Sequence, residues 1–235
     1  MFHDRGSIDL VLVPSGLAIM FIYHLILLYR ILYYPQTTVV GYENHNKLAW
    51  VERLLQATPN EISLGLSVIS SSTSASSNLA SLSIALSSFI GTLVGSSLTN
   101  LLTTQVIYGD KSQSTSTVKY ISLLICFLIA FTAFIQSARY LVHASYLMST
   151  LDSDLPVGYV QRAVIRGGNF WVLGLRALYF ATVLLMWIFG PIPMFLCSLF
   201  MVAILHFLDS NSMPLHRHSF RRHSSSKVMC TFASN

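Results

Sequence analysis

Residues 177–208 read ALYFATVLLMWIFGPIPMFLCSLFMVAILHFL, with no Asp, Glu, Lys or Arg among them. Roughly 20 apolar residues suffice to cross a bilayer core, so this run is too long for one upright helix and has no use in a soluble domain. It makes the chain an integral membrane protein. A continuous helix over the run would be about 48 Å long at about 1.5 Å per residue. The hydrocarbon core is only about 30 Å thick, and tilt does not comfortably absorb the excess. Gly190 is a natural helix stop and Pro191 a natural first helical residue. The Gly190-Pro191-Ile192-Pro193 element therefore reads as a tight turn between two spans, 170–189 and 191–208. The alternative is one kinked helix whose end leaves the membrane, which makes four spans in all.

The rest of the chain agrees with a membrane protein. Charged residues are 10% of the 235 and hydrophobic residues 53%, against about 25% charged in a typical soluble domain. The N-terminal apolar stretch, 10–29, is long, is flanked by Asp4 and Asp9, and lacks a small-residue cleavage site, so it reads as an uncleaved first span. Pro14 sits in its first turns, and Pro35 ends it after Tyr29, Tyr33 and Tyr34, rings suited to a membrane interface. KLAWVERLL (47–55) reads as a short amphipathic helix on the membrane surface, anchored by Trp50. The Ser-rich stretch that follows reads as a second span, 75–94, with a helical extension before it. Its small residues allow close helix approach in lipid. A polar loop over 98–117 leads to a third span, 118–138, with continuation of its helix past Arg139 left open. Residues 150–168 read as a loop holding a short amphipathic piece, YVQRAVIR, with Gly167-Gly168 as a flexible joint before the next span.

The expected fold is thus all-α: a transmembrane helical bundle of five spans, alternatively four, with short interfacial helices. Residues 1–209 form a single transmembrane domain, and 210–235 a basic, Ser- and His-rich disordered tail. Charge distribution favours five spans. With the N-terminus outside, the cytoplasmic side holds Arg30, Lys47, Arg53, Arg139, Arg162, Arg166, Arg176, Arg217, Arg221, Arg222 and Lys227. The other side then holds only Arg5, Lys111 and Lys119, as the positive-inside rule requires. The net charge of +5 is read as this loop bias and not as a nucleic-acid surface. The tail is expected in the cytoplasm, and the membrane is either the plasma membrane or an endomembrane.

Four polar residues stand out as a candidate anion-binding set: His24, Ser137, Arg139 and Arg176. An ionisable group at membrane depth is costly, so His24 inside the first span is a functional candidate; a neutral His bonded to a neighbour is the plainer alternative. Arg30, Arg139 and Arg176 fall at the cytoplasmic ends of spans, where they either hold a lipid phosphate or anionic solute or snorkel to the interface. Gln136 and Ser137 are placed to share a pocket with Arg139. No GxSxG, HExxH, P-loop or GxGxxG string is present, so an enzyme is not expected. Three cysteines without CxxC spacing imply neither a disulfide framework nor a zinc site, and no metal or other cofactor is expected.

A series of residues across 8–209 then resembles a known family. The series runs Tyr23-His24-Leu25; Pro35, Thr37, Thr38 and Gly41; Trp50-Val51; Ser137, Arg139 and His143 within SARYLVHASYLM; Tyr159-Val160; Gly174 and Arg176; WIFGPIP (187–193); and Leu208-Asp209. Together they resemble the plant domain-of-unknown-function family 599, in which WIFGPIP is the most specific string. The resemblance implies a multi-pass plant membrane protein and carries no catalytic residues. This chain has Ser70-Ser71 where the family often has an Arg-Asn pair, and Val142 and Ser145 where it often has Asn. The expected function is a structural or interaction subunit of a membrane assembly, with a transporter or channel for a small solute as the alternative. The expected partners are the lipid bilayer, including anionic lipid, and other subunits of a homo- or hetero-oligomer.

Overall fold

The computed structural model describes residues 4–95, 113–149 and 156–211. The expected polar loop falls mostly outside these residues, as does the basic tail from 212 onward. Among the described residues the fold is all-α. Helix α1 spans Asp4–Tyr33, and a short 3-10 turn, Pro35–Thr37, follows it. Then come α2, Val39–Leu55, α3, Pro59–Gly95, α4, Gln113–Ser149, α5, Val157–Phe189, and α6, Pro191–Asp209. Helices α1, α4, α5 and α6 are each long and apolar enough to cross a membrane. Helix α3, the expected second span, is equally long and packs along α4; its serines dilute its apolar half.

The break at Gly190 is real. Its φ of 141° lies in the region that side chains disfavour and glycine accepts, and α6 starts at Pro191, where a missing N–H costs nothing. Two residues far from the break decide between a kink and a hairpin. Arg176 on α5 and Asp209 at the end of α6 form an ion pair. They lie 14 residues before and 19 after Gly190. Only if α6 folds back along α5 do they meet. Residues 170–208 are therefore two antiparallel helices, as the turn reading expects.

The bundle has two storeys. Helices α3, α4 and α5 hold 37, 37 and 33 residues, hence about 50–55 Å each. This exceeds the membrane core by about 20 Å or more. Toward the Gly190 end, α1 and α6 join them around a core that includes Met20, Leu123, Phe127, Val183, Leu184 and Met194. The outward faces there are apolar, with Phe21, Leu25, Ile125, Phe200 and Phe207 exposed, as lipid contact demands. In the other storey Val51 and Leu54 of α2 pack on Ile69, Leu141, Met148, Val160 and Val164. Between the storeys lie Ala80, Ala130, Phe134 and Ala177.

This arrangement resolves one open expectation and corrects several others. The helix of the third span does continue past Arg139, as far as Ser149. YVQRAVIR is not a separate piece but the opening turns of α5, which begins at Val157. Gly167-Gly168 is not a joint; both residues are helical, and Gly167 brings α5 close to Leu141 and the Ser137 carbonyl of α4. Helix α2 starts at Val39 and buries Val51 completely, so it is a packed element of the second storey and not a helix lying free on the membrane. Pro14 lies well inside α1, because the helix begins earlier than the apolar run. In each case packing on a neighbouring helix extends or recruits a segment whose own composition is ambiguous.

Thr58 and Glu61 open α3 with the carboxylate half of a capping box. The Glu61 carboxylate accepts from the Thr58 N–H and from its hydroxyl, both at 3.0 Å. These bonds hold the Glu61 carboxyl below its usual value of 4.5. A carboxyl depressed on folding stabilises above its unfolded pKa and loses that contribution as pH falls through the folded value. Amide protection at the start of α3 should therefore drop as pH is lowered below about 4.5, and Glu61→Ala should abolish that dependence. A second outcome concerns packing between α4 and α5. A Cβ on Gly174 would stand 2.7 Å from the Phe134 ring, whereas one on Gly91 meets nothing within 4 Å. Gly174→Val should lower stability by about 1–3 kcal/mol in thermal unfolding, and Gly91→Ala should leave it unchanged or raise it.

Candidate functional site

Buried polar side chains include Asp9 and Lys119 toward the Gly190 end, where the Lys119 ammonium lies 5.4 Å from the Trp187 ring centroid; away from that end they collect at two places. The first is where α1, α5 and α6 meet. The Asp209 carboxylate takes the Arg176 guanidinium on Oδ1 and the Tyr23 hydroxyl on Oδ2, at 2.6 Å. The Asp209 and Arg176 side chains are only 8% and 13% exposed, so neither charge is left to water. The guanidinium also lies over the Tyr179 ring at 5.8 Å. Next to Tyr23, the His24 ring packs on Phe180, with centroids 4.9 Å apart. His24 Nδ1 lies 2.7 Å from the Met20 carbonyl. A carbonyl only accepts, so Nδ1 carries the proton and Nε2 is left as an acceptor. Buried His24 Nε2 and Arg176 Nη1 have no partner. The cluster thus keeps one unused acceptor and one unused donor.

The turn after α1 ties into the same end. Arg30 donates to the Thr37 carbonyl at 2.8 Å and to its hydroxyl at 3.3 Å. Thr38 caps α2 by accepting from the Gly41 N–H and forms an isolated bridge with Ser210. The Asn211 N–H reaches the Thr37 carbonyl at 3.2 Å. The chain leaving α6 is thereby bonded to the chain entering α2, directly beside the Asp209 cluster.

The second place is a partly open cleft of about 510 Å³ between α2, α3, α4 and α5. Its inner wall holds buried Ser76 and Ser137, whose hydroxyls are 3.1 Å apart; Ser137 also donates to the Gly167 carbonyl at 2.8 Å. Trp50 and Trp171 line it, as do Glu43 and Lys47, which pair at 2.9 Å.

The four residues singled out from the sequence do not share one pocket. His24 and Arg176 lie in the first cluster and Ser137 in the cleft. Arg139 is on the exposed face of α4, with its guanidinium 3.4 Å from Gln136 of its own helix. Arg30 is occupied by the turn. Sequence reasoning left out Asp209 as the partner of Arg176, and with it Tyr23. The available signal was the lone carboxylate closing an otherwise uncharged run. Glu43 and Lys47 gave only the spacing of an ordinary helical pair. Among the described residues no group of three His, Cys, Asp or Glu side chains converges as a metal site would require.

The Tyr23 hydroxyl completes the hydrogen bonding of a buried carboxylate. Tyr23→Phe should therefore cost about 1.5–3 kcal/mol, read as a lower unfolding midpoint. Tyr29→Phe, on the exposed face of α1, should have no effect.

Both places lie within residues 11–214, which match the model of a family described as a protein of unknown function, DUF599. No curated protein and no solved structure matches the chain. The family match runs from the first span to the residues just past Asp209, taking in the paired Arg176 and Asp209, the Gly190 turn and the α2 cap, and on that extent the chain belongs to the DUF599 family.

Proposed function

We propose that the protein is a non-catalytic binding or interaction subunit of a membrane assembly, and not a conduit for solutes. The observation that supports this is how the membrane storey is filled. Met20, Leu123, Val183 and Met194 are buried there at 0% exposure, and Ala130 and Phe134, between the storeys, are equally closed. A solute path needs polar groups that converge on a lumen. Two buried hydroxyls of this storey instead turn back on their own helices: Ser83 donates to Leu79 and Ser198 to Phe195. Fixed, satisfied hydroxyls of this kind serve close helix packing. The binding surfaces are concentrated in the other storey, which the loop charges assign to the cytoplasm.

Water access decides between the two readings. After replacement of Cys126, Cys197 and Cys230, a single cysteine at Ser83 should stay unmodified by a small, impermeant thiol reagent applied to either side of the membrane. Rapid modification would put water at mid-membrane and favour a transport path.

A further inference from the structure

The cleft between α2, α3, α4 and α5 shares no residue with the Asp209 cluster, and it sits at a particular height. Trp171 lies 19 residues from Gly190, hence about 28 Å along α5, and Gly168 lies about 33 Å along it. A hydrocarbon core is about 30 Å thick. With the Gly190 turn at one face of the core, the cleft falls at its other edge, the level at which Trp rings such as Trp50 and Trp171 settle.

It holds one charge of each sign. Lys47 and Glu43 stand one turn apart on α2 at 2.9 Å. The Lys47 ammonium lies over Gly168, so close that a Cβ there would come within 2.7 Å of it. The wall below is mostly apolar, with Ile69, Leu141 and Val164. On α3 the cleft is bordered by Val68, Ser71, Ser72 and Ala75, all on the exposed side. Helical spacing carries that face on to Leu79 and Leu82 in the membrane half. A ligand suited to this site has an anion and a cation side by side, at the membrane edge, with an apolar extension.

We propose that the cleft binds the head group of a glycerophospholipid bearing a primary amine, the chemistry of an ethanolamine phospholipid. Lys47 takes the phosphate and Glu43 the ammonium, so the side-chain pair opens to two charge-assisted bonds in place of one. The acyl chains run along α3 past Ala75 toward Leu79 and Leu82. The volume of about 510 Å³ falls within the range of ligand sites, about 300–1,000 Å³. A choline head group has no N–H for Glu43, and a purely anionic head group would set a negative charge against it. Both should bind less well. This inference rests on the reading of the protein as a binding subunit. The labelling of Ser83 tests that reading, and lipid titration tests the cleft alone.

The experiment is thermal unfolding of the purified full chain in detergent, titrated with ethanolamine, choline or glycerol phospholipid. Ethanolamine phospholipid at about a hundredfold excess over its Kd should raise the midpoint by about 5 °C or more, and the other two far less. Glu43→Gln and Lys47→Gln should each weaken that response about tenfold in lipid concentration. Their midpoints without lipid should hold, because an exposed helical pair contributes little. Ala75→Trp, which fills the cleft, should abolish the response. Equal shifts for choline and ethanolamine lipids would overturn the proposal. So would a response that survives Glu43→Gln and Ala75→Trp. An equal shift from soluble phosphoethanolamine would also overturn it, since the ligand would then be the free zwitterion and not the lipid.

Discussion

A carboxylate and a guanidinium held out of water at the membrane edge leave this chain little choice of topology. Alone, either charge costs several kcal/mol to bury. Paired, they must stand at the same height, and Arg176 and Asp209 reach the same height only when α6 folds back on α5 at Gly190. The second oxygen of the same carboxylate takes the Tyr23 hydroxyl, which adds α1 to the pair. One side chain thus fixes the relation of three helices. Just past it, Ser210 and Asn211 meet Thr38 and Thr37, so the start of α2 is placed by the end of α6. Helix α2 in turn carries Glu43 and Lys47 to the rim of the cleft.

The other helices are joined by means suited to lipid, where apolar surface alone gives no net attraction between helices. Close approach takes its place. Gly16 of α1 lies against Ser198 of α6, and Gly174 of α5 lies beneath the Phe134 ring of α4. Ser137 links all three long helices, reaching Ser76 on α3 and the Gly167 carbonyl on α5. The serines that make α3 look like a linker therefore have two uses. Ser67, Ser72, Ser76, Ser83 and Ser88 bond to their own helix backbone, which keeps them tolerable in an apolar setting, and Ser76 also ties α3 to its neighbour.

Much of this was legible in the sequence wherever the determinant is local. Gly190-Pro191 marks a helix stop and start by backbone chemistry alone, and an uncharged run about one and a half times the length one span needs demands the turn. Pro35 likewise marks the end of α1. What was not legible depends on partners distant in sequence. The segment 150–168 is polar enough for a loop, yet most of it is helix because Val160, Ala163 and Val164 find a surface made by α2, α3 and α4. Gly167-Gly168 resembles a hinge until Leu141 is seen against it. The candidate site shows the same division. His24 was recognisable as a costly group at depth, and Arg176 as a charge at the end of a span. Their separation from Ser137 and Arg139 was not, because grouping by helix end cannot distinguish the faces of a helix. Arg139 and Ser137 are two residues apart in sequence and point to different surroundings, one exposed and one wholly buried.

If the buried Arg176–Asp209 pair specifies the hairpin and the docking of α1, the two charges must depend on each other. A double-mutant cycle measures that dependence most directly, with Arg176→Met, Asp209→Leu and both together compared by equilibrium unfolding in detergent. Each single variant should lose about 3–5 kcal/mol, because it strands the other charge, and the double variant should recover most of that loss. Losses that simply add would mean that the two charges act independently and that something other than their pairing sets the topology.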